Sequence, residues 1–222
     1  MLFAAGFGTR MRPLTDALPK PMIPVAGRPL IDHALDQTVG VPLDRIVANL
    51  HYKPAKLAEH LAAREVITVL EHPEILDTGG GLRNAISHLG QGPVFTLNSD
   101  SIWKGPSPLA LLRDAWQPEE MDALLMCIPV TQTHAYSGQG DFEIDQNGRL
   151  HRGHGHVYSG AQIINTDRLQ EIDATSFSLN ILWDLMSAQN RLFGISYPGH
   201  WCDVGHPGGI DIAEALLVRS DV

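Results

Sequence analysis

Ala4-Ala5-Gly6-Phe7-Gly8 closes a short apolar run, and Arg10 and Lys20 follow it closely. Glycines directly after a strand let the backbone turn tightly and bring its N–H groups against an anion such as a phosphate chain, although a plain turn would use them equally well. Arg10 adds a planar fork for phosphate oxygens. Lys20, held between Pro19 and Pro21, adds a compact positive charge on a stiff backbone. This is neither a Walker A loop, which needs Gly-Lys-Ser/Thr, nor a dinucleotide GxGxxG. Further on, Asp77-Thr78-Gly79-Gly80-Gly81 opens a helical pattern. Its glycines would let the backbone approach a flat nucleobase and its ribose, and Asp77 or Thr78 would equally serve as a helix cap. Asn98-Ser99-Asp100 follows the apolar run 94–97. A carboxylate there can hold a hard Mg²⁺ while substrate phosphates and waters fill the other octahedral positions, or it can cap a turn.

These groups need a frame that gathers strand ends. Runs 45–50, 65–70 and 93–97 read as buried strands. Between them Leu30, Ile31, Ala34, Leu35 and Thr38-Val39 recur at helical spacing, as do Leu57, Leu61 and Ala62, then Leu82, Ala85, Ile86 and Leu89. The alternation predicts right-handed βαβ units and a Rossmann-like, mostly parallel sheet flanked by helices on both faces, with ligands at the carboxyl ends of its strands. From about residue 122 the pattern changes to apolar 124–130, a hairpin signal in 141–150 around Asn147-Gly148, a helix over 178–188, a strand over 192–197 and a terminal helix over 210–218. The expectation is an α/β chain forming one domain over 1–222 with a small inserted β part. Leu2 to Ala5 reads as the tail of a strand short by about two to four apolar residues, so trimming at the N-terminus is expected.

Composition narrows the classes. The 222 residues, 44% of them apolar, suffice for one well-buried core. Sixteen Lys+Arg against twenty-five Asp+Glu give a net charge of −9, the wrong sign for a nucleic-acid partner, so phosphate must be bound locally. No run of about eighteen apolar residues and no signal-peptide pattern occur, which argues against a membrane partner and for a cytoplasmic location. Cys127 and Cys202 lack the spacing of a thiolate zinc cluster. His151, His154 and His156 have no acidic or thiolate partner nearby in sequence and read as a solvated loop, and Met121, Met126 and Met186 as core filler.

Taken together, Gly-x-Gly-Thr-Arg-x-x-Pro-Leu-Thr, Pro19-Lys20-Pro21 and Pro24-Val25-Ala26-Gly27 resemble the signature of the sugar-1-phosphate nucleotidylyltransferases. The resemblance implies that Ala4, Ala5, Gly6, Gly8, Thr9 and Arg10, with Asp77, Thr78, Gly79 and Gly80, bind the nucleotide. It makes Arg10, Lys20 and Asp100 catalytic. It also implies that Asp203, in Trp201-Cys202-Asp203-Val204-Gly205, joins Asp100 on one Mg²⁺ although the two are 103 positions apart. Ser99 stands where the family often has glycine. His206 stands where it commonly has Thr, as an extra phosphate contact or a helix-start residue. The nucleotide part would cover about 1–120 and the sugar part about 121–222, with Glu143, Ser159, Gly160 and Asn165 facing the sugar.

The implied reaction is attack by the phosphate of a sugar-1-phosphate on the α-phosphorus of a nucleoside triphosphate, releasing pyrophosphate. A phosphate monoester with a second pKa of about 6 is already largely dianionic at neutral pH and needs no general base. Arg10 would hold the β and γ phosphates, and Lys20 the α-phosphate and the sugar phosphate. Within the family, the short length and the Asp-Thr-Gly-Gly-Gly and Trp-x-Asp-Val-Gly segments are most similar to N-acetylmuramate-1-phosphate uridylyltransferases. Small mannose-1-phosphate guanylyltransferases share most of these motifs. A nucleotide-binding sensor without turnover is the alternative from another class, and monomer and dimer are both left open.

Overall fold

The computed structural model describes residues 1–90 and 92–218. The first part holds β1 (Leu2–Phe3), β2 (Pro24–Val25), β3 (Arg28–Pro29), α1 (Leu30–Asp36), β4 (Val47–Leu50), α2 (Pro54–Ala62) and β5 (Ile67–Leu70). Next come α3 (Asp77–Leu89), β6 (Val94–Asn98), β7 (Ser101–Lys104), α4 (Pro108–Ala115), β8 (Ala123–Pro129) and β9 (Thr133–His134). The chain continues through β10 (Phe142–Ile144), β11 (Leu150–Arg152), β12 (His156–Ile164), α5 (Leu179–Ala188), β13 (Leu192–Ser196), β14 (His200–Asp203) and α6 (Gly208–Val218).

The main sheet runs β5-β4-β1-β6-β12, with β8 and then β13 beyond β12. Strands β5, β4, β1 and β6 are mutually parallel, and β13 is parallel to β8, so β12 is the antiparallel member between β6 and β8. The hairpin β10–β11 joins the start of β12 at Phe142 and His156. This is the expected mixed α/β architecture, with the inserted β part built into the same sheet. Alternate residues of β8 separate two cores: Leu124, Met126 and Ile128 belong to the core that also holds Leu57 and Leu61 of α2 and Leu109 and Leu112 of α4. Ala123, Leu125 and Cys127 belong to the core that also holds Leu82 of α3 and Leu182 and Met186 of α5. A strand buried on both faces must be apolar throughout, which is why this run does not alternate.

Two expectations need correcting. The run 65–70 was expected to be buried, but β5 pairs only with β4 at the sheet edge and Leu70 is 56% exposed. Apolar β-branched composition suits an edge as well as a centre, so composition could not separate them. The helical pattern drawn through Val39 stops earlier, since α1 ends at Asp36 and Val39 is exposed. The hairpin turn is as read: Asp145 Oδ1 accepts from the N–H groups of Asn147 and Arg149, and Gly148 takes φ +80°.

A second, three-stranded sheet, β7-β14-β9, has no counterpart in the periodicity. It packs with α6 over a third core of Met11, Ile23, Val25, Leu30, Ile102, Cys202 and Val204. These residues sit beside Arg10, Lys20, Asp100 and Asp203 in sequence, so one small core fixes the backbone at every one of the four charged positions.

Candidate active site

The sheet order reverses at β1, which has β4 on one side and β6 on the other, and open α/β sheets bind ligands at such a point. A cleft of about 680 Å³ lies there, with Ala4, Ala5 and Gly6 on one wall, Asp77 and Thr78 on the other, and Lys20, Asn98 and Asp100 also lining it. A second hollow of about 650 Å³ shares Phe3, Asp77, Thr78 and Asn98 with it and extends to Asp141, Arg152, Tyr158 and Trp183. The two make one groove with a glycine-loop end and a far end.

At the near end the glycine loop leaves its donors open. Among the described residues, the N–H groups of Ala5, Gly6, Phe7 and Gly8 make no hydrogen bond to protein. Gly8 takes φ +62°, and a Cβ there would stand 2.8 Å from Thr15 Cγ2 and 2.9 Å from Lys20 Cβ. Glycine is therefore required both by the backbone and by the lysine stem lying against it. The buried Thr15 hydroxyl donates to Gly8 O at 2.9 Å and holds the loop in that shape. Thr9 and Arg10 open an exposed 3₁₀ turn that ends on buried Met11.

Strand pairing brings the distant carboxylates together. β14 runs antiparallel to β7 with Asp203 opposite Ser101, and Val204 N–H donates to Asp100 O at 3.0 Å. Lys20 Nζ donates to Asp100 Oδ2 at 2.7 Å. Asp203 Oδ2 and Arg10 Nη2 both lie within 3.2 Å of the point where a Cβ on Gly205 would stand. Burial, then the Asp100 charge, push the Asp203 pKa above the ordinary carboxylate value, and Lys20, Arg10 and His206 only partly offset them. His206 is exposed, accepts Gly209 N–H on its carbonyl and leads into α6. Ser99 has its own structural use, donating its hydroxyl to Phe3 O at 2.7 Å across the switch point.

Two half-buried carboxylates near enough for the charge of one to raise the pKa of the other fit a hard dication that takes one or two protein oxygens and completes its shell with phosphate and water. Among the described residues no group of three His, Cys, Asp or Glu side chains is placed to hold a metal. The donor set thus suits Mg²⁺ shared with a substrate better than an all-protein cage.

The 77–81 segment is used differently from the expectation of glycines against a base. Gly79 and Gly80 are buried, and both donate their N–H groups to Phe177 O. A Cβ on Gly80 would lie 2.5 Å from Thr175 O, and one on Gly81 would lie 2.6 Å from Glu71 Oε1. These glycines admit the 175–177 segment and buried Glu71, leaving Asp77 and Thr78 as the cleft wall. Neither side chain is an N-cap here: Thr78 Oγ1 instead accepts Leu179 N–H at 3.0 Å. Glu71 also ties the two walls, accepting from Leu76 N–H and from Asn49 Nδ2, while Asn49 Oδ1 accepts Ala4 N–H. For Gly80→Ala, the helix-propensity gain of about 1 kcal/mol is outweighed by overpacking of about 1–3 kcal/mol against a backbone oxygen. The variant is expected to melt below the parent in a thermal scan; a higher melting temperature would show that the 175–177 segment yields freely.

The sugar-side expectations largely need correcting. Ser159 is buried and donates its hydroxyl to Met126 O at 2.6 Å, so it does not face the groove. Asn165 follows the end of β12 that pairs Ile164 with Val94, at the opposite end of β6 from Asn98, and its Oδ1 accepts Asp167 N–H in a local turn. Glu143 is exposed and outside the groove lining, whereas Asp141 lines it and accepts Tyr158 N–H at 2.8 Å. Gly160 takes φ +91° at the β12 bulge, and a Cβ there would meet Asn98 Cβ at 2.7 Å, so it shapes the wall from behind. Asn49, Arg152 and Trp183 carried no site expectation from sequence, whereas Asn98 and Asp141 fall in the expected segments 98–100 and 141–143, where the roles had gone to Asp100 and Glu143. Polar residues at strand ends look alike until register decides which ends meet.

The model of the family described as nucleotidyl transferase matches residues 1–152. The chain belongs to that family. An N-acetylmuramate alpha-1-phosphate uridylyltransferase from Caulobacter vibrioides is 37% identical over 99% of this chain and 97% of its own length. A mannose-1-phosphate guanylyltransferase from Arabidopsis thaliana is 29% identical over 93% of this chain and 61% of its own length. Among solved structures, an apo UDP-glucose pyrophosphorylase superposes with a TM-score of 0.79 at 16% identity, covering 100% of this chain and 98% of that one. That last likeness speaks to the fold alone, and it agrees with the mostly parallel sheet. This nucleotidyl transferase has no described helix long and apolar enough to cross a membrane.

Proposed function

We propose that the protein transfers a uridylyl group from UTP to N-acetylmuramate 1-phosphate, giving UDP-N-acetylmuramate and pyrophosphate. The observation that carries the reading is the meeting of Arg10, Lys20, Asp100 and Asp203 beside an open-amide loop at the switch point of the sheet. The choice of sugar and base follows the Caulobacter relative, which matches along its whole length, whereas the plant guanylyltransferase extends well beyond the match.

The sugar phosphate attacks as a dianion, one of its oxygens bonding to the α-phosphorus as the bond to the pyrophosphate oxygen breaks. No side chain needs to remove a proton. The amides of Ala5 to Gly8 and the Arg10 guanidinium hold the β and γ phosphates and stabilise the charge that builds on the leaving group. Lys20 lies between the α-phosphate and the incoming phosphate and offsets their repulsion, and in-line placement supplies much of the remaining rate. Asp100 and Asp203 would hold Mg²⁺, which would supply Lewis-acid charge neutralisation on the transferring phosphate. With UTP as donor and N-acetylmuramate 1-phosphate as acceptor, the proposed reaction fits a cytoplasmic enzyme that reuses peptidoglycan sugars.

Pyrophosphate release from UTP, GTP, dTTP, CTP and ATP, each with several sugar 1-phosphates, tests the assignment. The highest kcat/KM is expected for UTP with N-acetylmuramate 1-phosphate. Activity confined to GTP with mannose 1-phosphate would replace it with guanylyl transfer. Thermal stabilisation by nucleotide with no pyrophosphate from any pair would make the protein a sensor.

A further inference from the structure

We propose that Arg152 reads the lactyl carboxylate of the sugar substrate and is the residue by which this enzyme tells a muramyl from a plain hexosamine 1-phosphate. The inference rests on the uridylyl-transfer reading above. N-acetylmuramate differs from N-acetylglucosamine by a lactyl ether ending in a carboxylate, so a site that prefers it needs a cation at the sugar end of the groove. Of the residues that line the far hollow, Arg152 is the one with a positive charge, and Asp77 and Asp141 on its walls repel an anion elsewhere.

The guanidinium is already arranged for this. Its carbon lies 4.8 Å from the Phe142 ring and 5.8 Å from the Trp183 ring, so the plane is supported before any ligand arrives. Nε and Nη2 donate to Asp184 Oδ1 at 3.1 and 2.8 Å, and Nη2 also reaches Asn180 O. Nη1 has no hydrogen-bond partner among the described residues. With the side chain 44% exposed, that face is open to a ligand. A donor pre-oriented by its neighbours loses little freedom on binding, which favours affinity.

The β10–β11 hairpin explains the placement. Arg152 pairs with Phe142 in register, one residue from Asp141, so the turn at 145–148 carries the cation to the same end of the hairpin as the groove-lining carboxylate.

The test compares kcat/KM with UTP for N-acetylmuramate 1-phosphate and N-acetylglucosamine 1-phosphate in the parent, Arg152→Gln and Arg152→Lys. Loss of a charged hydrogen bond predicts that the parent's preference for the muramyl sugar falls about 10- to 100-fold in Arg152→Gln, through KM rather than kcat. Arg152→Lys, which keeps charge without the fork, is expected to retain part of the preference. The rate on N-acetylglucosamine 1-phosphate in each variant reports whether the site is still folded. Equal proportional losses on both sugars, or an unchanged preference, overturn the role of Arg152 and leave the uridylyl-transfer reading standing. A parent enzyme with no preference for the carboxylate-bearing sugar overturns both.

Discussion

Lys20→Ala is expected to lower kcat by about two to three orders of magnitude, the scale of removing one preorganised electrostatic group from a reacting centre. Lys20 is mostly buried, its stem lies against Gly8, and its ammonium sits 2.7 Å from Asp100. The side chain can therefore meet a phosphate with little rearrangement once the carboxylate takes a metal. Two acidic groups stay behind in the variant with less positive charge near them. KM for UTP should change less than kcat, because the loop amides and Arg10 still bind the β and γ phosphates. Steady-state pyrophosphate release measures both constants. A kcat within threefold of the parent would remove Lys20 from the chemistry.

Chelation of divalent ions should reduce pyrophosphate release to background, with recovery on adding Mg²⁺. Asp203→Asn should lower turnover by about two orders of magnitude and raise the Mg²⁺ concentration needed for half-maximal rate. The same substitution has an opposite effect on stability. The folded protein holds the Asp203 pKa above its ordinary value through burial and the Asp100 charge, so ionised Asp203 weakens the ligand-free fold above that pKa. The wild type therefore gains stability as pH falls through the folded pKa, and Asp203→Asn lacks that gain. At pH 8 without metal the variant is expected to melt above the parent, with the gap closing toward acid pH. Thermal scans at several pH values, alongside the activity assay, check both halves. Full activity in excess chelator would exclude the metal role.

Much of this was legible along the chain. The glycine loop could be read because Gly6, Gly8, Arg10 and Lys20 lie within fifteen residues and their constraints are local. The parallel sheet could be read because strand and helix periods alternate through residue 98. Beyond that point local pattern did not bring the site together, and Asp203 was named only through the family resemblance. Trp201-Cys202-Asp203 pairs with Ser101-Ile102-Trp103 through long-range hydrogen bonds, and nothing near Asp203 in sequence encodes that partner. Ser159 and Asn165 were misplaced for the same reason: both lie on or just after one long strand, and which end and face meet the groove depends on the β12 bulge and on pairing with β6.

From residues alone came a candidate phosphate-binding loop and the helix and strand types, since turn geometry, charge and periodicity are properties of short segments, while the family came from the resemblance its motifs carry. Which carboxylates come near one another, which glycines admit protein instead of ligand, and which cation lines the far hollow were decided by strand register and by the small core beneath the second sheet. Those depend on contacts between segments up to about two hundred residues apart, whose pairing is chosen by burial of the whole chain.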